Sequence, residues 1–146
     1  MRALALGAVA LLVSCSQPTV PTPRPASSIV VTATVPNGRV EVVVKSLYAI
    51  GETVRATVRL MPTSGTLSGP VDAFIQASGF HGTATVRRLT VNRVTATPAA
   101  ASVVDVAWDM RDDAGTAVGS DDYSLVFNVV DDANRSTTIG ATLQVR

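Results

Sequence analysis

Along most of this chain, apolar and polar residues change places at every step, the period-two pattern of strands with one buried face. Ile29, Val31, Ala33 and Val35 alternate with Val30, Thr32 and Thr34, and Pro36-Asn37-Gly38 then supplies a tight-turn signal. Val40, Val42 and Val44 repeat the pattern, and Val54, Ala56, Val58 and Leu60 set against Arg55, Thr57 and Arg59 show it most cleanly. Val71 to Ser78 and the long run Thr83 to Thr97 follow; the alternation of the second slips near Thr90, which predicts a bend or bulge. Val104, Val106 and Trp108, then Tyr123, Leu125, Phe127 and Val129, and last Ile139, Ala141, Leu143 and Val145 complete seven to eight strands. No window of helical length carries a 3.6-residue period. Val and Thr dominate while Glu, Lys and Leu are scarce, a composition that favours strands over helices. An all-β, antiparallel two-sheet sandwich over residues 29–146 is the expected solution, with Trp108 and Tyr123 as its large core pieces.

The first residues break the pattern. Arg2 is followed by an uncharged apolar run from Ala3 to Val13, the length of a secretory h-region and short of the roughly 20 residues a bilayer requires. The run ends in Leu12-Val13-Ser14-Cys15, which resembles the lipobox of bacterial lipoproteins. The resemblance implies a signal peptide over 1–14, cleavage before Cys15 and acylation of Cys15 (palmitate-type lipid), so that the chain meets a membrane through its N-terminal lipid. Ser16 is not the Asp of inner-membrane retention, which favours the outer membrane or cell surface. Cys15 is the one cysteine, so with its thiol acylated the sandwich must hold without disulfides. Residues 15–28 form a Pro/Thr-rich linker, a semi-rigid spacer of ~3.1 Å per residue.

The segment Val106 to Leu125 resembles a signature of bacterial Ig-like modules: those of flagellar hook-capping proteins and the related intracellular proteinase inhibitors of the BsuPI type. Trp108, Asp109, Asp112, Gly115 and Tyr123 stand at the places of a strand-ending Trp, an Asp-x-x-Asp-x-x-Gly turn and a strand-opening Tyr. Asp121 departs from the pattern, which has Gly two residues before the Tyr, and this chain carries its Gly at 119. The resemblance implies an Ig-like sandwich and, as an alternative function, proteinase inhibition through the 109–122 loop.

Charge and chemistry narrow the picture further. The lone His81, flanked by Gly79 and Gly82, lacks a paired acid, His or Cys, and neither Gly-x-Ser-x-Gly nor Ser-x-x-Lys occurs, so no enzyme is expected. Eight of the eleven carboxylates follow residue 100. If their loops converge, Asp109, Asp112, Asp113, Asp121 and Asp122, joined by Asp131 and Asp132, could offer Ca²⁺ its oxygen ligands; ordinary turn-forming Asp, with no cofactor, is the expected role. Residues 15–100 hold eight Arg/Lys and three Asp/Glu, and residues 101–146 three and eight. Strands from both parts share one sandwich, so the two are expected to neutralise each other. With aromatics at 4% and Arg87, Arg88 and Arg93 the densest basic cluster, the composition excludes nucleic acid as an expected partner. The remaining expectation is an envelope protein or glycan bound by a non-enzymatic module.

Overall fold

The computed structural model describes residues 27–79 and 83–146, and the described residues contain strands and turns but no helix. The strands are β1 (Ser28–Val35), β2 (Gly38–Lys45), β3 (Leu47–Tyr48), β4 (Val54–Pro62), β5 (Leu67–Ala77), β6 (Thr85–Arg88), β7 (Val94–Ala96), β8 (Ser102–Trp108), β9 (Asp121–Asp131) and β10 (Ser136–Val145). They form an all-β sandwich of two sheets. One runs β1-β2-β4-β8; the other runs β3-β10-β9-β5-β6, with β7 also paired to β5. All pairings are antiparallel except that of β3 with the end of β10, where Leu47 lies beside Gln144 and Tyr48 beside Val145.

The alternation in sequence becomes alternation in burial. The first sheet turns Val40, Val42, Val44, Val54, Val58, Val104 and Val106 inward; Leu125, Phe127, Val129, Ile139, Leu143 and Val145 meet them from the second. Burying a Val or Leu side chain stabilises by roughly 1.5–3 kcal/mol, so this doubled inner surface is the main source of stability. Among the described residues, the buried hydrophobics of the core run from Val35 to Val145.

Three elements depart from the expected strand list. The 83–97 run is broken into β6 and β7 by residues 89–93, around the place where its alternation slips. β5 begins at Leu67, four residues before the expected Val71, and passes through Gly69 and Pro70 with register shifts on both sides of Val71. Gly69 fits there because a Cβ would press on the Asn128 carbonyl at 3.2 Å. β3 adds a two-residue strand that no alternation could signal.

Register also sorts the loops between two ends. Ser28 pairs with Lys45, Val54 with Trp108 and Asp121 with Val145, which places the start of β1 and the 109–120 loop at the same end. The β1–β2 turn, the β4–β5 loop and the β9–β10 loop gather at the other, where Asn37 Nδ2 donates to Asp132 Oδ1 at 2.8 Å. There the Asn37 carbonyl accepts the Thr63 amide at 2.8 Å and the Ser64 amide at 3.2 Å.

Candidate functional site

The loop between β8 and β9 is built on an aromatic pair. Trp108 closes β8 fully buried, and its ring meets that of Tyr123 edge-on, centroids 5.1 Å apart at 61°. Such edge contacts suit the ring quadrupoles. Both polar handles are satisfied: the Trp108 Nε1–H donates to the Arg111 carbonyl at 2.8 Å, and the Tyr123 hydroxyl donates to the Gly119 carbonyl at 2.9 Å. The second bond runs from a strand-opening Tyr back to the chain four residues upstream, the arrangement known as a tyrosine corner. Burial, followed by the negative charge of Asp121, raises the Tyr123 pKa.

From this base the chain makes a small hairpin. Met110 takes a left-handed φ of 57° and buries its side chain, and Val118 N–H returns to the Met110 carbonyl at 2.9 Å. Asp109 Oδ1 accepts the Arg111 amide at 3.2 Å, and Asp112 Oδ1 accepts the Thr116 amide at 2.8 Å. Gly115 supplies the left-handed φ of 82° that the turn needs.

The hairpin does not stand free. Asp113 N–H donates to the Val86 carbonyl at 3.0 Å, and Arg88 N–H donates to Asp113 Oδ1 at 3.0 Å. The Arg87 guanidinium reaches the Asp112 carbonyl at 2.6 Å, and the Ser120 hydroxyl bonds the Val145 carbonyl at 3.0 Å. Four bonds thus stitch the loop to β6 and to the end of β10. A hollow of about 580 Å³ remains beneath it, lined by Ala77, Val86, Val118 and Tyr123 among others.

The acidic residues do not converge. Asp109, Asp112, Asp113, Asp121 and Asp122 lie at the Trp108 end, whereas Asp131 and Asp132 lie at the opposite end. Asp122 pairs with Arg146 at 2.6 Å, and Asp121 Oδ1 accepts the Asp122 amide at 2.8 Å. Among the described residues no three His, Cys, Asp or Glu side chains are grouped as a metal ion would need. Cys15, the expected signal segment, the linker up to residue 26 and His81 lie outside the described residues.

At the opposite end sequence reasoning named the Asn37 turn and Asp131 and Asp132 but not the contact that joins them. Asn37 and Asp131 are both buried polar residues there. Asp131 accepts the amides of Ala133 at 2.9 Å and Arg135 at 2.8 Å, and the Arg135 Nε–H at 2.6 Å. Burial pushes its carboxyl pKa up, but the bonds from Arg135 and Ala133 and the charge of Arg135 outweigh this and hold it below the ordinary value. The local signal was the pair of turns, Pro36-Asn37-Gly38 and Asp131-Asp132-Ala133-Asn134; what joins them lies 95 residues apart in sequence.

No family model matches this chain, and no curated protein matches it in sequence. In structure it is similar to the alkylpurine DNA glycosylase AlkC of Pseudomonas fluorescens, solved bound to DNA containing an abasic-site analogue. Identity is 14%, the TM-score is 0.49, and the match covers 69% of this chain and 28% of that enzyme's. The chain therefore spans little more than a quarter of the protein it resembles, and at this similarity the likeness assigns it no DNA chemistry.

The partner expectation is corrected on this point: nucleic acid is not excluded, since a DNA-bound protein is among the solved structures similar to this chain. Ion pairs among the described residues include Arg39–Glu41, Lys45–Glu52, Arg135–Asp131 and Arg146–Asp122, each formed within one part of the chain.

Proposed function

We propose that this chain is a non-enzymatic, envelope-anchored lipoprotein: a signal peptide over 1–14, a lipidated Cys15, a Pro/Thr-rich linker to 28, and an Ig-like sandwich over 29–146 held out as a structural or binding module. The lipobox-like Leu12-Val13-Ser14-Cys15 supports the anchor, since two or more acyl chains hold a protein durably where one gives only marginal binding. Ser16 in place of a retention Asp favours the outer membrane or surface over the inner membrane.

The observation that carries the module reading is the four-bond attachment of the 109–120 loop to β6 and β10. An inhibitory loop presents an extended, accessible segment to a protease cleft. This loop instead spends its carbonyls and carboxylates on its own sandwich, and its tip, Asp113-Ala114-Gly115-Thr116, offers no large apolar anchor. The tyrosine corner at Tyr123 supports the Ig-like character.

Two measurements test the reading. Palmitate label should enter the wild-type protein and be lost in Cys15→Ser, with the variant leaving the membrane fraction; label-free wild type, or a variant still membrane-bound, refutes the anchor. A panel of serine and cysteine proteases should retain full activity in a molar excess of the protein, and tight inhibition of any one would replace the module with an inhibitor.

A further inference from the structure

We infer that β1 is a self-association edge, through which two copies of this chain pair their first sheets across a two-fold axis. Sheet edges leave unpaired N–H and C=O groups, and proteins blunt them with charge, proline, bulges or brevity. Three sides of this sandwich carry such devices. β3 is two residues long, β6 ends in Arg87 and Arg88, and β8 sets Asp105 in the middle of its edge. β1 carries none: Ser-Ile-Val-Val-Thr-Ala-Thr-Val is eight residues without charge, proline, glycine or bulge.

The phase of its hydrogen bonding is fixed. Ser46 N–H donates to the Ser27 carbonyl at 2.9 Å and Thr63 N–H to the Asn37 carbonyl at 2.8 Å. In the alternation of an antiparallel ladder, Ile29, Val31, Ala33 and Val35 therefore bond toward β2, while the backbone groups of Ser28, Val30, Thr32 and Thr34 point away from it, to the side where no described strand pairs. The inward side chains Ile29, Val31 and Ala33 are only partly covered by the core.

A second β1 answers both deficits. With Val31 on the axis, Ser28 faces Thr34 and Val30 faces Thr32 of the other copy, so every outward residue meets an outward residue. On the inner face Ile29 meets Ala33, and Val31 meets Val31. No like charges oppose one another along the strand, and the flanking cations Arg39 and Lys45 on β2 are each paired, with Glu41 at 3.4 Å and Glu52 at 2.6 Å. At β8 the same operation would set Asp105 near Asp105. The uncharged Val/Thr edge gives a partner of opposite charge nothing to recognise, and its complement in both hydrogen-bond phase and side-chain pattern is itself.

Sedimentation velocity on residues 16–146, which hold every described core residue, tests this without reference to the lipid anchor. The wild type should show a monomer–dimer equilibrium. Thr32→Lys, which puts a charge beside Val30 of the other copy, should weaken it by at least about tenfold. Val103→Lys on the exposed edge of β8 should leave it unchanged, with circular dichroism confirming that both variants fold. A wild type that stays monomeric at all concentrations, or a dimer that survives Thr32→Lys or dissociates with Val103→Lys, overturns the inference.

Discussion

Asn37 and Asp132, 95 residues apart in sequence, hold each other at 2.8 Å and tie the first hairpin turn of the sandwich to its last. Asn37 is buried, and its own carbonyl receives two amides from the β4–β5 loop. Removing its side chain leaves a carboxylate oxygen without its donor. Asn37→Ala should cost about 1–3 kcal/mol, read as a lowered urea midpoint with an unchanged slope. Asn37→Asp should lose more at neutral pH, because two carboxylates then face each other, and should recover part of the loss in mild acid.

Gly65 sits beside this contact with a φ of 58°, and a Cβ there would collide with the Asp132 carboxylate and the Asn37 amide. Gly115 has a comparable left-handed φ of 82° but open space around it. Gly115→Ala should therefore cost only the backbone penalty of about 1–2 kcal/mol, and Gly65→Ala should cost clearly more. Equal losses in thermal unfolding would show that the Asn37–Asp132 contact yields freely.

Asp131 makes stability depend on pH in a stated direction. Its folded pKa lies below the ordinary carboxylate value, so it contributes stability that is present above that value and is lost as pH falls through the folded pKa. Asp131→Asn should lower the melting temperature at pH 7. The gap to wild type should close as the pH is taken below the ordinary carboxylate range. A gap that stays constant with pH would mean that the carboxylate charge is not what the β9–β10 turn uses.

Trp108 and Tyr123 should differ sharply in what their loss does. Trp108→Ala empties the largest buried side chain of the core and should cost about 3–5 kcal/mol. Tyr123→Phe keeps the ring contact and removes only the bond to Gly119, for about 0.5–1.5 kcal/mol. In alkaline titration followed by ultraviolet absorbance, one tyrosine should ionise above the free value, and that transition should vanish in Tyr123→Phe.

The parts of this fold legible in sequence are those in which one side-chain period decides one face. Val54, Ala56, Val58 and Leu60 alternate cleanly because β4 lies between two strands and has one face on the core, and all four are buried. Where the chain departs from regular pairing the pattern fails. Gly69-Pro70 reads as a turn, yet it lies within β5 at a double register shift, and Leu47-Tyr48 is too short to carry any period. The 109–120 loop shows the same division. Its internal turns come from Asp109, Asp112 and Gly115 acting on near neighbours, whereas its attachment runs to Val86, Arg87 and Arg88, some 25 residues earlier in the chain. The separation of Asp131 and Asp132 from the other aspartates is likewise a matter of strand direction, which composition does not record.

Valine is the commonest residue on the inner face of the first sheet, at Val40, Val42 and Val44 of β2, Val54 and Val58 of β4, and Val104 and Val106 of β8, with Ala56, Leu60 and Trp108 between and beside them. Valine has a single side-chain torsion, stiffened by its branch, so it surrenders little freedom on burial and cannot flow into a gap. That wall is hard. The longer side chains opposite it, Leu125, Phe127, Ile139 and Leu143, have the torsions that can adjust. Accommodation of a packing change around these valines thus falls mainly to the facing sheet, and the sandwich is mechanically lopsided there: a stiff template on one side and a more compliant surface moulded to it on the other.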